Sequence, residues 1–221
     1  IEFMIVCMAT MVDRERLVRR GRTIEWITIG YNCLEGAASL VAGLLAGSVS
    51  LAGFGIDSLI EVTSGAALLW RLHHDFDPGR RERAERLSLR AVGGCFLALA
   101  LYLTVHGITD LSTRAAPEAS VVGIVIAALS LLVMPALARA KRRVAAGIGS
   151  GALEADARQT DFCMYLSAIL LAGLSVNAVF GWWWADPAAA LAMAPLIARE
   201  GYEGWRGRTC CACGDAGHGA A

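Results

Sequence analysis

Apolar residues along the chain fall into six blocks, at about residues 24–45, 49–71, 88–111, 120–138, 152–176 and 184–204. Each is close to the roughly 20 residues that an α-helix needs to cross a bilayer. A soluble domain would instead show its apolar positions as a stripe on one face of each element. The pattern predicts an all-α membrane protein of six transmembrane helices. It divides the chain into an N-terminal segment (1–23), a transmembrane domain (24–205) and a tail (206–221).

Charge sets the orientation. Arg14, Arg16, Arg19, Arg20 and Arg22 precede the first block, and Arg71, Arg80, Arg81, Arg83 and Arg86 link the second to the third. Arg139, Lys141, Arg142 and Arg143 link the fourth to the fifth, and Arg199, Arg206 and Arg208 close the sixth. All four clusters fall on one side. The other side carries Ala46-Gly47-Ser48, a turn between Arg114 and Ala119, and the aromatic run Phe180 to Trp184. The positive-inside rule therefore places both termini in the cytoplasm, with the inner (plasma) membrane as the expected location. Trp182, Trp183 and Trp184 suit an interfacial aromatic belt, and Asp186-Pro187 suits the first turn of the last helix.

Of the 221 residues, 56% are hydrophobic and 18% charged, well to the apolar side of an ordinary globular composition. The basic clusters flank apolar blocks and do not alternate with aromatics over a folded face, which excludes nucleic acid as a partner. Residues 4–12 are apolar but lack a basic leader and a cleavage signal, so no signal peptide is expected. Of the seven cysteines, Cys33, Cys95 and Cys163 lie inside apolar blocks and Cys210, Cys211 and Cys213 crowd the tail. That distribution argues against a disulfide scaffold. No nucleotide loop, nucleophile elbow or zinc-protease motif is present, so no enzymatic activity and no resident cofactor are expected. Gly43-x-x-x-Gly47 is read as a helix-packing motif.

The informative residues are those a bilayer should reject. An ionisable side chain at mid-span costs about 2.5–3.5 kcal/mol even on the lenient insertion scale. Asp57 and Glu61 lie four residues apart in the second block, hence on one helix face and one turn apart. Apart from Arg71, Arg90 and Arg199 at block ends and Arg158 near the cytoplasmic end of the fifth, no Lys or Arg falls inside a block, so a divalent cation or protons remain to compensate the pair; the alternative is a hydrogen-bonded pair with one acid protonated. On the fifth block Asp156, Gln159, Thr160 and Cys163 share one stripe, with Glu154 and Asp161 on the opposite side. Because the second and fifth helices enter from opposite surfaces, Gln159 and Cys163 come to the depth of Asp57 and Glu61. Two carboxylates and a thiolate make a mixed tetrahedral site suited to zinc, cadmium or cobalt.

Glu35, with Asn32 a turn earlier in the first block, is a proton carrier, a partner of the metal ligands, or a protonated acid bonded within the bundle. Asp156 is a candidate of the same kind. His106 and Asp110 are read as structural, and His73-His74-Asp75 with Asp77 as a solvated turn. Cys210, Cys211 and Cys213, with Asp215 and His218, form either a metal-collecting or an inert tail.

The run Ser48-Val49-Ser50-Leu51-Ala52-Gly53-Phe54-Gly55-Ile56-Asp57-Ser58-Leu59-Ile60-Glu61 resembles the second helix of the cation diffusion facilitator transporters, which carries two acidic ligands four apart. Ala155-Asp156-Ala157-Arg158-Gln159-Thr160-Asp161-Phe162-Cys163 is similar, without a gap, to the family's fifth-helix segment. There a His and an Asp complete a tetrahedral metal site, and here Gln159 and Cys163 stand in their places. The resemblance extends from about Trp26 to Trp205 and includes Asp186-Pro187. It implies a homodimer that exports a divalent cation, usually zinc (cadmium, cobalt, iron and manganese being the other candidates), in exchange for protons. Residues 206–221 are too few for the cytoplasmic domain that usually follows, so a divergent branch lacking it is expected. The competing class is a non-transporting membrane metal sensor or assembly partner on the same scaffold.

Overall fold

The computed structural model describes the backbone of residues 2–73, 78–115 and 117–206, and the side chains of these except 2–14, 70–73, 78–89 and 151–152. Among the described residues there are six α-helices: α1 (Glu2–Ala46), α2 (Val49–His73), α3 (Pro78–Thr113), α4 (Val121–Ile148), α5 (Gly151–Phe180) and α6 (Ala185–Trp205). Five of them contain spans long and apolar enough to cross a membrane: Glu15–Ala46, Val49–Leu69, Arg90–Thr113, Val121–Ile148 and Leu153–Phe180. The 21-residue α6 is less apolar than these, but it too buries one face, through Ala190, Met193, Ala194 and Ile197. The expected all-α membrane architecture is present. Its helices are longer than hydropathy suggested, most of all α1, which begins within the expected N-terminal segment, then α3, which begins ten residues before the expected block, and α4, which runs ten residues beyond Ala138.

Local chemistry sets the helix ends. Ser120 caps α4 by accepting the Gly123 amide at 3.0 Å, and Ser150 accepts the Leu153 amide at the start of α5. Gly149 ends α4 at φ 64°, the left-handed conformation a β-carbon disfavours, and Gly47 does the same between α1 and α2. The Gly43-x-x-x-Gly47 motif is therefore only half a packing motif. A β-carbon on Gly43 would lie 2.6 Å from the Ala52 amide, whereas none of the described residues comes within 4 Å of one on Gly47. The second close approach between α1 and α2 is made by Gly36 and Gly55 instead.

Packing divides the bundle in two. Helices α1, α2, α5 and α4 close a ring in which each packs on the next, and α3 with α6 forms a pair resting on α2 and α5. The α3–α6 crossing depends on Gly93 and Gly201, where added β-carbons would lie 2.5 and 3.0 Å from the facing helix.

Helix α1 is inverted relative to a helix of a soluble bundle, while α2, α4 and α5 add an apolar core that includes Phe54, Met134, Leu166 and Leu170. On α1 the inward stripe is Glu25, Thr28, Asn32, Glu35 and Ser39, all buried, while Trp26, Leu34, Val41, Leu44 and Leu45 face outward. On α4 the outward face carries Val121, Val125, Leu129 and Leu132. Apolar outside and polar inside is the arrangement a hydrocarbon solvent selects, and it delivers the polar residues to the ring interior.

Candidate metal centre

Helix α2 is the most enclosed of the spans, and it brings Asp57 and Glu61 into the ring interior, each 3% exposed. The expected juxtaposition with α5 is present. Cys163 is 1% exposed and is an electrostatic neighbour of Asp57, Glu61 and Glu35. Thr160 donates its hydroxyl to Glu61 Oε1 at 2.9 Å. Glu35, from α1, accepts the Ser58 hydroxyl at 3.1 Å, with Tyr31 and Ser130 beside it. Three helices thus converge on one buried acidic zone.

Among the described residues, several oxygens and nitrogens in this zone make no hydrogen bond of ordinary geometry: Glu61 Oε2, Glu35 Oε1, Gln159 Nε2 and both amide atoms of Asn32. Buried polar groups are rarely left so, which marks a place where an ion, proton or water completes the bonding. No three His, Cys, Asp or Glu side chains converge to ligating distance among the described residues. Gln159 is only half-buried, and its Oε1 accepts the Ser64 hydroxyl at 2.9 Å, so it stands at the edge of the acidic zone. The geometry gathers acids and a thiol in one buried compartment.

One expectation is overturned. Lys141, placed with the basic cluster that links the fourth block to the fifth, lies within α4 and is fully buried. Helix α4 continues through it, so Arg139, Arg142 and Arg143 point outward while Lys141, on the opposite face, points into the ring. It pairs with Glu25 at 3.3 Å and makes a short contact with Asp156. Asp156 is therefore an ion-pair partner, and Glu25, at the start of the first block, is a further buried acid. Their signal was available: Glu25, Asn32, Glu35 and Ser39 repeat at helical spacing along α1, and Lys141 is the only lysine in a chain otherwise furnished with arginine. Arg158 is exposed, and Asp161 pairs with Arg142 on the outer face, as its place off the stripe implies.

His106 is exposed and packs on Tyr102, with ring centroids 4.6 Å apart, consistent with its structural reading. His74, Asp75, Asp77, Cys210, Cys211, Cys213, Asp215 and His218 lie outside the described residues, as does the side chain of His73.

Comparison with known families decides the scaffold. The cation efflux transmembrane domain matches residues 26–206, nearly the whole of the helical bundle. The chain belongs to the cation efflux family. It is a multi-pass integral membrane protein, and Asp57 and Glu61 lie within the matched region. A cation-efflux pump FieF from Shewanella oneidensis is 25% identical over 170 residues, covering 74% of this chain and 57% of the pump. FieF from Klebsiella pneumoniae is 28% identical over 198 residues, covering 83% of this chain and 65% of the pump. Transmembrane protein 163 from Xenopus laevis is 27% identical over 95 residues, covering 43% of this chain and 34% of that protein. The chain thus spans about three fifths of the length of the pumps it matches.

Proposed function

We propose that this cation efflux protein moves a zinc-like divalent cation out of the cytosol in exchange for protons, through the compartment lined by Asp57, Glu61 and Cys163. The observation that carries the reading is the burial of Asp57 and Glu61 on one face of α2 while the ion pairs of Lys141 go elsewhere, to Glu25 and Asp156. Two acids in a low-dielectric interior are strongly favoured to bind a dication or protons, and the two loads compete for the same oxygens. That competition is the physical basis of exchange.

Cys163 adds a soft donor and Glu35 a third acid, a mixture that favours zinc or cadmium over magnesium or calcium. Gln159 supplies a weaker amide oxygen at the rim. The charge pattern supports cytoplasmic termini, and the two efflux pumps among the relatives support the outward direction. A homodimer is part of the same proposal, by family resemblance.

The test is zinc uptake into inside-out membrane vesicles or proteoliposomes under an imposed proton gradient. Gradient-dependent accumulation is expected. Zinc binding without any flux would overturn the transport reading in favour of a metal sensor or assembly partner.

A further inference from the structure

Beyond the acidic compartment, toward the α4–α5 turn, the ring holds a second polar layer with a different composition. The Lys141 ammonium lies between Glu25 of α1 and Asp156 of α5, pairing with both. It also donates to the Thr160 hydroxyl at 3.2 Å, and that hydroxyl in turn donates to Glu61. Four helices meet at this point, because Glu25 also presses against α2. A β-carbon on Gly65, one turn past Glu61, would lie 2.5 Å from Glu25 Oε1.

Beneath the ionic layer sits a small apolar cluster of Leu68, Val144, Ala145 and Leu153, with Leu17, Ile24 and Ile148 packed against it. The order from mid-bundle outward is therefore Asp57 with Cys163, then Glu61 with Thr160, then the triad, then the apolar cluster. The positive-inside rule puts the apolar cluster on the cytoplasmic side.

We propose that Glu25, Lys141 and Asp156 form an ionic latch that closes the cytoplasmic mouth of the metal compartment, with Lys141 as a tethered cation linked to Glu61 through Thr160. This rests on the transport reading above for its role, though not for its geometry. A fully buried ammonium shared by two carboxylates is held only while all three stay together, since separating them leaves bare charges in a dry layer. Each partner sits on a different helix, so opening this end of the ring must exchange those pairings for water. A dication arriving at Glu61 repels the ammonium beyond Thr160, and occupancy of the site thereby biases the latch. Lys141 is a positioning residue here, hydrogen-bonded to Glu25, Asp156 and Thr160 and to none of the proposed ligands.

Cys163, enclosed above the latch, reports its state. The full chain is used with every other cysteine replaced by Ser, in vesicles exposing the cytoplasmic face to a membrane-impermeant maleimide. Labelling of Cys163 is expected to be slow with Lys141 present and at least about tenfold faster in Lys141→Met, where two uncompensated acids draw water in. The neutral triple variant Glu25→Gln, Lys141→Met, Asp156→Asn keeps similar volumes without charge. It is expected to fold, to label slowly, to bind zinc, and to lose at least about tenfold of the zinc flux because its closed end no longer exchanges partners.

Equal labelling of Lys141→Met and the parent, or parental flux in the triple variant, overturns the latch. Should Lys141→Met not fold, the flux of the triple variant decides alone. Should the parent carry no zinc at all, the transport reading fails by itself, and the labelling comparison still decides whether the triad closes this end.

Discussion

Asp186 and Ser48 are 138 positions apart in sequence, and the Ser48 hydroxyl donates to Asp186 Oδ1 at 2.6 Å. The same carboxylate accepts the Val49 amide at 3.1 Å, and the Ser50 hydroxyl also donates to it. An acid in the first turn of α6 therefore caps the N-terminus of α2, where free amides and the helix dipole favour negative charge. This anchors the end of α2 opposite the Lys141 latch, with Asp57 and Glu61 between the two.

Removing the cap should loosen α2 without touching the acidic zone. Asp186→Ala is expected to lower stability by about 1–3 kcal/mol, the cost of leaving buried donors without a charged acceptor. Asp186→Asn should cost less, since its amide oxygen still accepts one bond. Thermal unfolding in detergent, followed by circular dichroism, checks the order; equal midpoints for all three proteins would contradict the capping role.

Topology gives a second expectation. Reporter fusions at both termini should be cytoplasmic. A cysteine introduced at the exposed Glu118 should react with impermeant reagents only from the outer face, and one at Arg143 only from the cytoplasmic face. Cytoplasmic labelling at position 118 would invert the arrangement and, with it, the assignment of the latch to the cytoplasmic side.

What could be read in advance follows from which physical signal each feature leaves. Asp57 and Glu61 were legible because charge inside a long apolar block has no ordinary explanation, and the α5 stripe was legible because it repeats with the helical period. Lys141 and Glu25 were not, because both sit near block ends among arginines, where a charged residue is ordinarily solvated. Hydropathy ended α4 at Ala138, but the helix runs on to Ile148 and stops at Gly149. Over that extension, helical rotation turns Arg139, Arg142 and Arg143 out and Lys141 in. A summed charge cluster hides this difference; the angular position of each residue reveals it. Gln159 marks a limit of the same reading. It shares the predicted stripe, yet its long side chain bonds Ser64 at the rim, a contact between helices that spacing along one helix cannot specify.

The tail thiols should matter little to transport. Replacing Cys210, Cys211 and Cys213 with Ser removes soft ligands that form no closed set of zinc-finger spacing, and zinc flux is expected to change by less than about twofold. Complete loss of flux at matched protein levels would move the essential site away from the bundle.

The acidic pair itself carries the sharpest expectation. Asp57→Asn and Glu61→Gln preserve volume and hydrogen-bonding capacity while removing charge, so each variant should fold at least as well as the parent, because an uncompensated buried charge is lost. Each should nevertheless lose at least about a hundredfold of proton-driven zinc flux, since the anionic oxygens that hold the cation and later accept protons are gone. Cys163→Ser exchanges a soft donor for a weak oxygen one. It should lower cadmium and zinc transport relative to manganese while leaving the two acids in place. Gln159→His puts an imidazole beside Ser64, and zinc affinity should rise if rotation of α2 or α5 side chains can bring position 159 to the carboxylates. Equilibrium zinc binding and vesicle flux, measured together on each variant, separate loss of affinity from loss of turnover. Parental flux in both carboxylate variants would exclude Asp57 and Glu61 as the pair that holds the transported cation, whatever their burial.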